Sequence, residues 1–111
     1  MPTLEEALEA ALAHHRAGQL HQAEQRYREI LQAMPDHADV LHLLGLAMHQ
    51  QGRHEPSVEY IERAVRINPG QPVFHYNLGQ VYQTLGRLPE TIASYQRAIV
   101  CQPDFAEAHN G

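Results

Sequence analysis

The stretch Pro72-Val73-Phe74-His75-Tyr76-Asn77-Leu78-Gly79-Gln80-Val81-Tyr82-Gln83-Thr84-Leu85-Gly86 decides the fold. Thirty-four positions earlier, Ala38-Asp39-Val40-Leu41-His42-Leu43-Leu44-Gly45-Leu46-Ala47-Met48-His49-Gln50-Gln51-Gly52 follows the same plan. Both segments carry apolar residues three and four positions apart, the period of a helix with one buried face. Outward from them, Pro35, Pro69 and Pro103 are spaced by 34 residues, and Gly18, Gly52 and Gly86 keep the same interval. Each period therefore reads helix, tight turn, helix, turn. The expected helices run near 4–17, 20–33, 38–51, 54–67, 72–85 and 88–101. Glycine just past a helix takes the left-handed conformation that closes it, and proline after a helix prevents continuation.

Start signals agree with this division. Thr3 followed by Glu6 forms a capping box, and Asp36 and Asp104 stand after the period prolines as expected N-caps, Asp104 with Glu107 at the matching distance. Pro56, Pro72 and Pro89 fall in first turns, where a missing N–H costs little.

Composition narrows the function. Apolar residues make up 43% of the 111 positions, aromatic residues only 6%, and Ala, Leu, Gln, Glu and Arg dominate, which favours helices over strands. A net charge of −5 opposes binding to nucleic acid or an anionic bilayer. All eight basic residues are Arg, so lysine Schiff-base chemistry and a P-loop are excluded. The acidic start and the absence of a long apolar run predict a cytoplasmic chain without a targeting segment. Cys101 is the single cysteine, which suits a reducing compartment. Its ordinary reading is a buried small hydrophobe, with a reactive thiol as the alternative.

The second period places Leu41, Leu44-Gly45, Met48, Gly52, Ser57, Ile61, Ala64 and Pro69 where the third places His75, Leu78-Gly79, Tyr82, Gly86, Thr91, Tyr95, Ala98 and Pro103. This pattern resembles the tetratricopeptide repeat, with its W-x2-L-G-x2-Y, A-x3-F and P spacing. The first period matches less closely. Ala7, Ala10-Ala11 and His14 replace the large and Leu-Gly positions, while Ala23, Tyr27 and Pro35 hold. The resemblance implies one all-α domain over 1–111. It would be a right-handed α–α superhelix of about three helix-turn-helix repeats near 4–37, 38–71 and 72–105, with 106–111 opening a truncated fourth. Gly45, Gly79, Ala64 and Ala98 would let paired helices approach, and Tyr82 and Tyr95 would fill gaps between successive hairpins.

In the family the first helix of each hairpin lines the concave side. Carried over, this gives a groove of Leu8, Leu12, Asp39, His42, Leu43, Leu46, His49, Val73, Tyr76, Asn77 and Gln80, with Glu5, Glu9 and Gln83 beside them. The resemblance implies a protein-interaction scaffold that is no enzyme and uses no cofactor. An apolar or helical peptide would be anchored by the leucines and its backbone held by Asn77. Alternatively, those leucines pack on their own hairpins and leave no adhesive surface. The family's carboxylate clamp for chaperone tails needs Lys, Arg and Asn, and only Asn77 matches. Tyr76-Asn77-Leu78-Gly79 and His109-Asn110 are similar to fragments of the asparagine ladder of O-GlcNAc transferases. A second reading follows, in which the chain recruits substrate for a larger bacterial glycosyltransferase.

The remaining polar residues favour solvated or structural roles. His42 and His49 are seven apart, as are His14 and His21, whereas metal pairs on one helix want three or four, so no metal site is expected. Most histidines are read as solvated. Ser57 and Ser94 lie in outer helices without a glycine elbow, and Glu5 with Glu9 or Glu59 with Glu62 read as solvated carboxylates, with Arg63 and Arg66 near the second pair. RNA-reading pentatricopeptide repeats are disfavoured by the acidic balance. Tyr82, Tyr95 and Ile99 are expected on the edge a fourth repeat would cover. That edge would be buried either by further repeats or by a second chain.

Overall fold

The computed structural model describes residues 3–102 as six helices joined by short turns: α1 (Leu4–Arg16), α2 (Leu20–Ala33), α3 (Ala38–Gln50), α4 (His54–Ile67), α5 (Pro72–Thr84) and α6 (Leu88–Cys101). They pair as three antiparallel hairpins stacked into a solenoid with extents of 43 × 26 × 21 Å.

The repeated glycines act as the period requires. Gly18, Gly52 and Gly86 have φ of 78°, 82° and 75°, and each closes the helix before it with the same two backbone bonds. Gly52 N donates to His49 O (3.0 Å) and Arg53 N to Met48 O (2.9 Å); Gly86 and Arg87 repeat this on Gln83 and Tyr82, as do Gly18 and Gln19 on His15 and His14. This is the Schellman closure, which satisfies orphan carbonyls and turns the chain back at once. α1 begins with the expected Thr3–Glu6 capping box. α3 differs from expectation. His37, extended at φ −74°, is the residue immediately before the helix, and its Nδ1 accepts from Val40 N, so Asp36 lies one position too early to cap. Asp104, Glu107 and the expected start of a fourth repeat lie outside the described residues.

Within hairpins, a small residue on the first helix faces a large one on the second. A Cβ on Gly45 would lie 2.5 Å from Ile61 Cγ1 and 3.1 Å from Ser57 O, and one on Gly79 would lie 2.6 Å from the Tyr95 ring. Ser57 Oγ donates to Gly45 O at 2.7 Å, so the contact is hydrogen-bonded as well as tight. Tyr95 thus belongs inside the third hairpin, with its hydroxyl donating to Gln83 Oε1, and does not fill a gap between hairpins. Tyr82 does bridge. It packs with Val58 and Ile61 of the second hairpin and donates to Glu62 Oε2.

Between the first two hairpins, Ala11, Ala23, Tyr27 and Ile30 meet Val40, Leu44, Ala47 and Met48. No hairpin encloses a core alone; the apolar seam exists only in the stack. Polar ties reinforce it. Glu24, 7% exposed, accepts from Gln51, Arg28 and Arg53. Burial pushes its carboxyl pKa up, but the three hydrogen bonds outweigh this and hold it below the ordinary value.

The expected apolar edge is corrected in detail. Tyr82 and Tyr95 are buried, and the exposed residues are Leu88 at 61% and Ile92 at 56%. Ile92 occupies the position of Val58 one period earlier and of Glu24 two periods earlier. Those two are buried because the next hairpin covers them.

Candidate functional site

The first helices α1, α3 and α5 lie side by side and present period-related positions on one face. Leu8, Leu12, Leu43, Leu46, Tyr76 and Asn77 are half-buried, while Glu5, Glu9, Asp39, Val73 and Gln80 are exposed. Leu8 and Leu43 pack one side against the seam between the first two hairpins, which fixes them in place and leaves the other side accessible.

His42 departs from the groove expectation. It is only 6% exposed, its ring lies 4.6 Å from that of Phe74, and its Nε2 accepts from Asn77 Nδ2 at 2.8 Å. Phe74 from the third hairpin draws the ring into the seam, so His42 supports the face and does not line it. Burial lowers its pKa to about 4, against a smaller opposing effect of Asp39. A neutral ring accepting at Nε2 fixes the Asn77 amide between α3 and α5.

The other polar groups are also organised. Tyr76 stacks on Tyr95 with centroids 5.6 Å apart and accepts from Gln80 Nε2 at 3.0 Å. His49 Nδ1 meets His54 Nδ1 at 2.8 Å, so at least one ring is neutral. Burial, then the neighbouring His54, lowers the His49 pKa.

Several expectations about single residues change. His75 is buried and donates from Nε2 to Pro69 O at 2.7 Å, so neither it nor His42 is solvated. His15 spans two hairpins, bonded through Nδ1 to the Tyr27 hydroxyl and through Nε2 to Gln50. Sequence reasoning missed this bridge, as it missed Glu24; Glu24 alone left a signal, a polar residue at a position that is Val58 and Ile92 in the later repeats, whereas the period mates of His15 are the polar His49 and Gln83. Cys101 is partly exposed, with its thiol donating to Pro69 O at 3.3 Å. Glu62 accepts from Tyr82 and Arg63 lies over the Tyr60 ring, and among the described residues neither Glu59 nor Glu62 forms an ion pair with Arg63 or Arg66. Among the described residues no group of three or more His, Cys, Asp or Glu side chains is placed to hold a metal ion.

Chemically, the face offers apolar anchors, fixed amides and a tyrosine ring, the equipment for holding an extended or helical segment. Family models of the tetratricopeptide repeat match residues 5–72 and 72–105. The chain belongs to the tetratricopeptide-repeat family. Superkiller complex protein 3 of Mus musculus is 30% identical over 104 residues, covering 94% of this chain and 7% of that protein. A Thermobaculum terrenum O-GlcNAc transferase mutant superposes over the whole chain with a TM-score of 0.91 and 33% identity, the match covering 22% of its own length. The first TPR of Spaghetti (RPAP3), solved bound to the HSP90 peptide SRMEEVD, gives a TM-score of 0.90 at 19% identity over 94% of this chain and 82% of that one, a likeness of fold. This TPR chain thus spans a small part of the mouse relative and of the transferase. No helix among its described residues is long and apolar enough to cross a membrane.

Proposed function

We propose that this TPR array is a protein-interaction scaffold that holds a peptide or helical segment of another protein along α1, α3 and α5. The observation that carries the reading is the row of half-buried leucines, Leu12, Leu43 and Leu46, beside an Asn77 amide fixed by His42. Side chains held firmly yet left partly open lose little entropy when a guest covers them. Binding is the activity proposed, in the cytoplasm and without chemistry of its own. Ser57 is buried within the second hairpin, its hydroxyl donating to Gly45 O.

The test is a set of peptides selected against the wild type and measured against Leu43→Ser/Leu46→Ser. Because Leu43 also contacts the core, Leu12→Ser/Leu46→Ser is measured in parallel, with melting curves for both. At least a tenfold loss of affinity is expected in each. Unchanged affinity in folded variants overturns the reading.

A second reading has a specific observation behind it. The 33% identity to the O-GlcNAc transferase structure, over the whole of this chain, favours a segment that recruits protein substrates to a larger glycosyltransferase. In that reading the same face binds, and the chemistry belongs elsewhere.

A further inference from the structure

Charge is divided unevenly between the two faces of the solenoid. All four ion pairs among the described residues, Arg26–Glu29, Arg28–Glu24, Arg53–Glu24 and Arg87–Glu90, lie on the second helices or the turns leading into them. On the first helices the acids Glu5, Glu9 and Asp39 are exposed and belong to none of these pairs. Glu6 serves the capping box instead. The only arginine on the first helices is Arg16, at the far end of α1, about 10 Å along the axis from Glu9 at 1.5 Å per residue. α5 carries no Asp, Glu, Lys or Arg at all.

Glu5 and Asp39 are one period apart and so stand side by side in the first turns of α1 and α3, with Glu9 one turn further on. Helix dipoles give a structural reason for acids in first turns, but that effect fades by the second turn, where Glu9 stands. The face is therefore divided in two: α1 and α3 carry the carboxylates, two of them in the first turns, interleaved with and followed by the leucines of the same helices, and α5 adds an uncharged stretch of Tyr76, Asn77 and Gln80.

We infer that the guest of this face is a basic amphipathic segment whose lysines or arginines lie over Glu5, Glu9 and Asp39 while its apolar side chains meet the leucines of the same two helices, with an uncharged part over α5. This rests on the groove reading above and names the chemical class of its guest. Leucines beside unpaired carboxylates reward a basic amphipathic segment and repel an acidic one. An acidic peptide such as the SRMEEVD bound by the RPAP3 domain meets like charge here and finds only Asn77 to receive it.

Fluorescence anisotropy with labelled 12-residue peptides tests this. Three peptides share one leucine-containing centre, with tails of Lys-Arg-Lys, Gln-Gln-Gln or Glu-Glu-Glu, each placed at either terminus; SRMEEVD is the fourth probe. The basic peptide is expected to bind about tenfold tighter than the neutral one, and both acidic probes more weakly still. Glu5→Gln/Glu9→Gln/Asp39→Asn should abolish that preference, with its helical circular dichroism and melting curve showing that the variant is folded. Raising the salt to 0.5 M should shrink the preference. Equal binding of basic and neutral peptides, or a preference that survives in the triple variant, overturns the inference while leaving the groove reading intact. Failure of every peptide, with no effect of Leu43→Ser/Leu46→Ser, overturns both.

Discussion

Two kinds of glycine serve this chain, and substitution separates them. At Gly52 the backbone needs a positive φ while the space around is open, so alanine meets only conformational strain of about 1 kcal/mol. Asparagine, which tolerates that conformation, should recover most of the loss. At Gly45 the backbone is helical, and alanine gains about 1 kcal/mol of helix propensity. The added methyl, however, lies 2.5 Å from Ile61 Cγ1, a fully buried branched side chain, and 3.1 Å from the Ser57 carbonyl. Overpacking of this kind costs about 1–3 kcal/mol or more, so Gly45→Ala is expected to be net destabilising. Gly45→Asn should be worse than Gly45→Ala, the reverse of the order at Gly52. Urea denaturation of the four variants decides the matter, and a common order at both sites refutes the distinction.

At the scale of elements, His42 joins α3 to α5 only while it is neutral. Its folded pKa of about 4 lies below the value of about 6.5 in an unfolded chain, so between those pH values the unfolded state binds the proton more readily. Stability from this group is fully present above pH 6.5 and is lost as pH falls toward 4. From pH 7.5 to 5 the loss is about 2 kcal/mol. His49, its pKa also lowered, adds in the same direction. His42→Gln keeps a hydrogen-bond acceptor for Asn77 without titrating, and should flatten the slope of unfolding free energy against pH. A slope equal to wild type in that variant rules His42 out as the source. This histidine also marks how far the sequence could be read. The helix spans and the pairing of small with large residues follow from the period of thirty-four, because they depend on backbone and volume alone. His42 was legible as a residue of the first-helix face, where its period mates Leu8 and Tyr76 remain half-exposed. Its burial depends on Phe74 arriving from the next hairpin, a contact between side chains thirty-two positions apart that no local pattern encodes. The cap at His37 was misread by one residue for the opposite reason: the choice between neighbouring polar residues rests on a single backbone angle.

For the whole molecule, the exit face of the last hairpin follows from comparing equivalent positions. Val58 is 5% exposed beneath Leu78, Val81 and Tyr82 of the next hairpin, whereas Ile92, its period mate, is 56% exposed with Leu88 at 61% beside it. Both of these side chains are branched aliphatics, and full burial of each is worth roughly 1.5–3 kcal/mol. Two copies meeting through this face bury four such groups, set against an association cost of about 4–15 kcal/mol. The balance favours weak association at most, so we propose that the chain by itself associates only at high concentration. Sedimentation velocity from micromolar to millimolar chain should show a rising weight-average mass. Ile92→Glu, which is on the surface and leaves the seam untouched, should hold the mass at that of a monomer throughout. Equal association of wild type and Ile92→Glu places the contact on another face. A tight dimer at micromolar concentration means that more surface is buried than Leu88 and Ile92 supply.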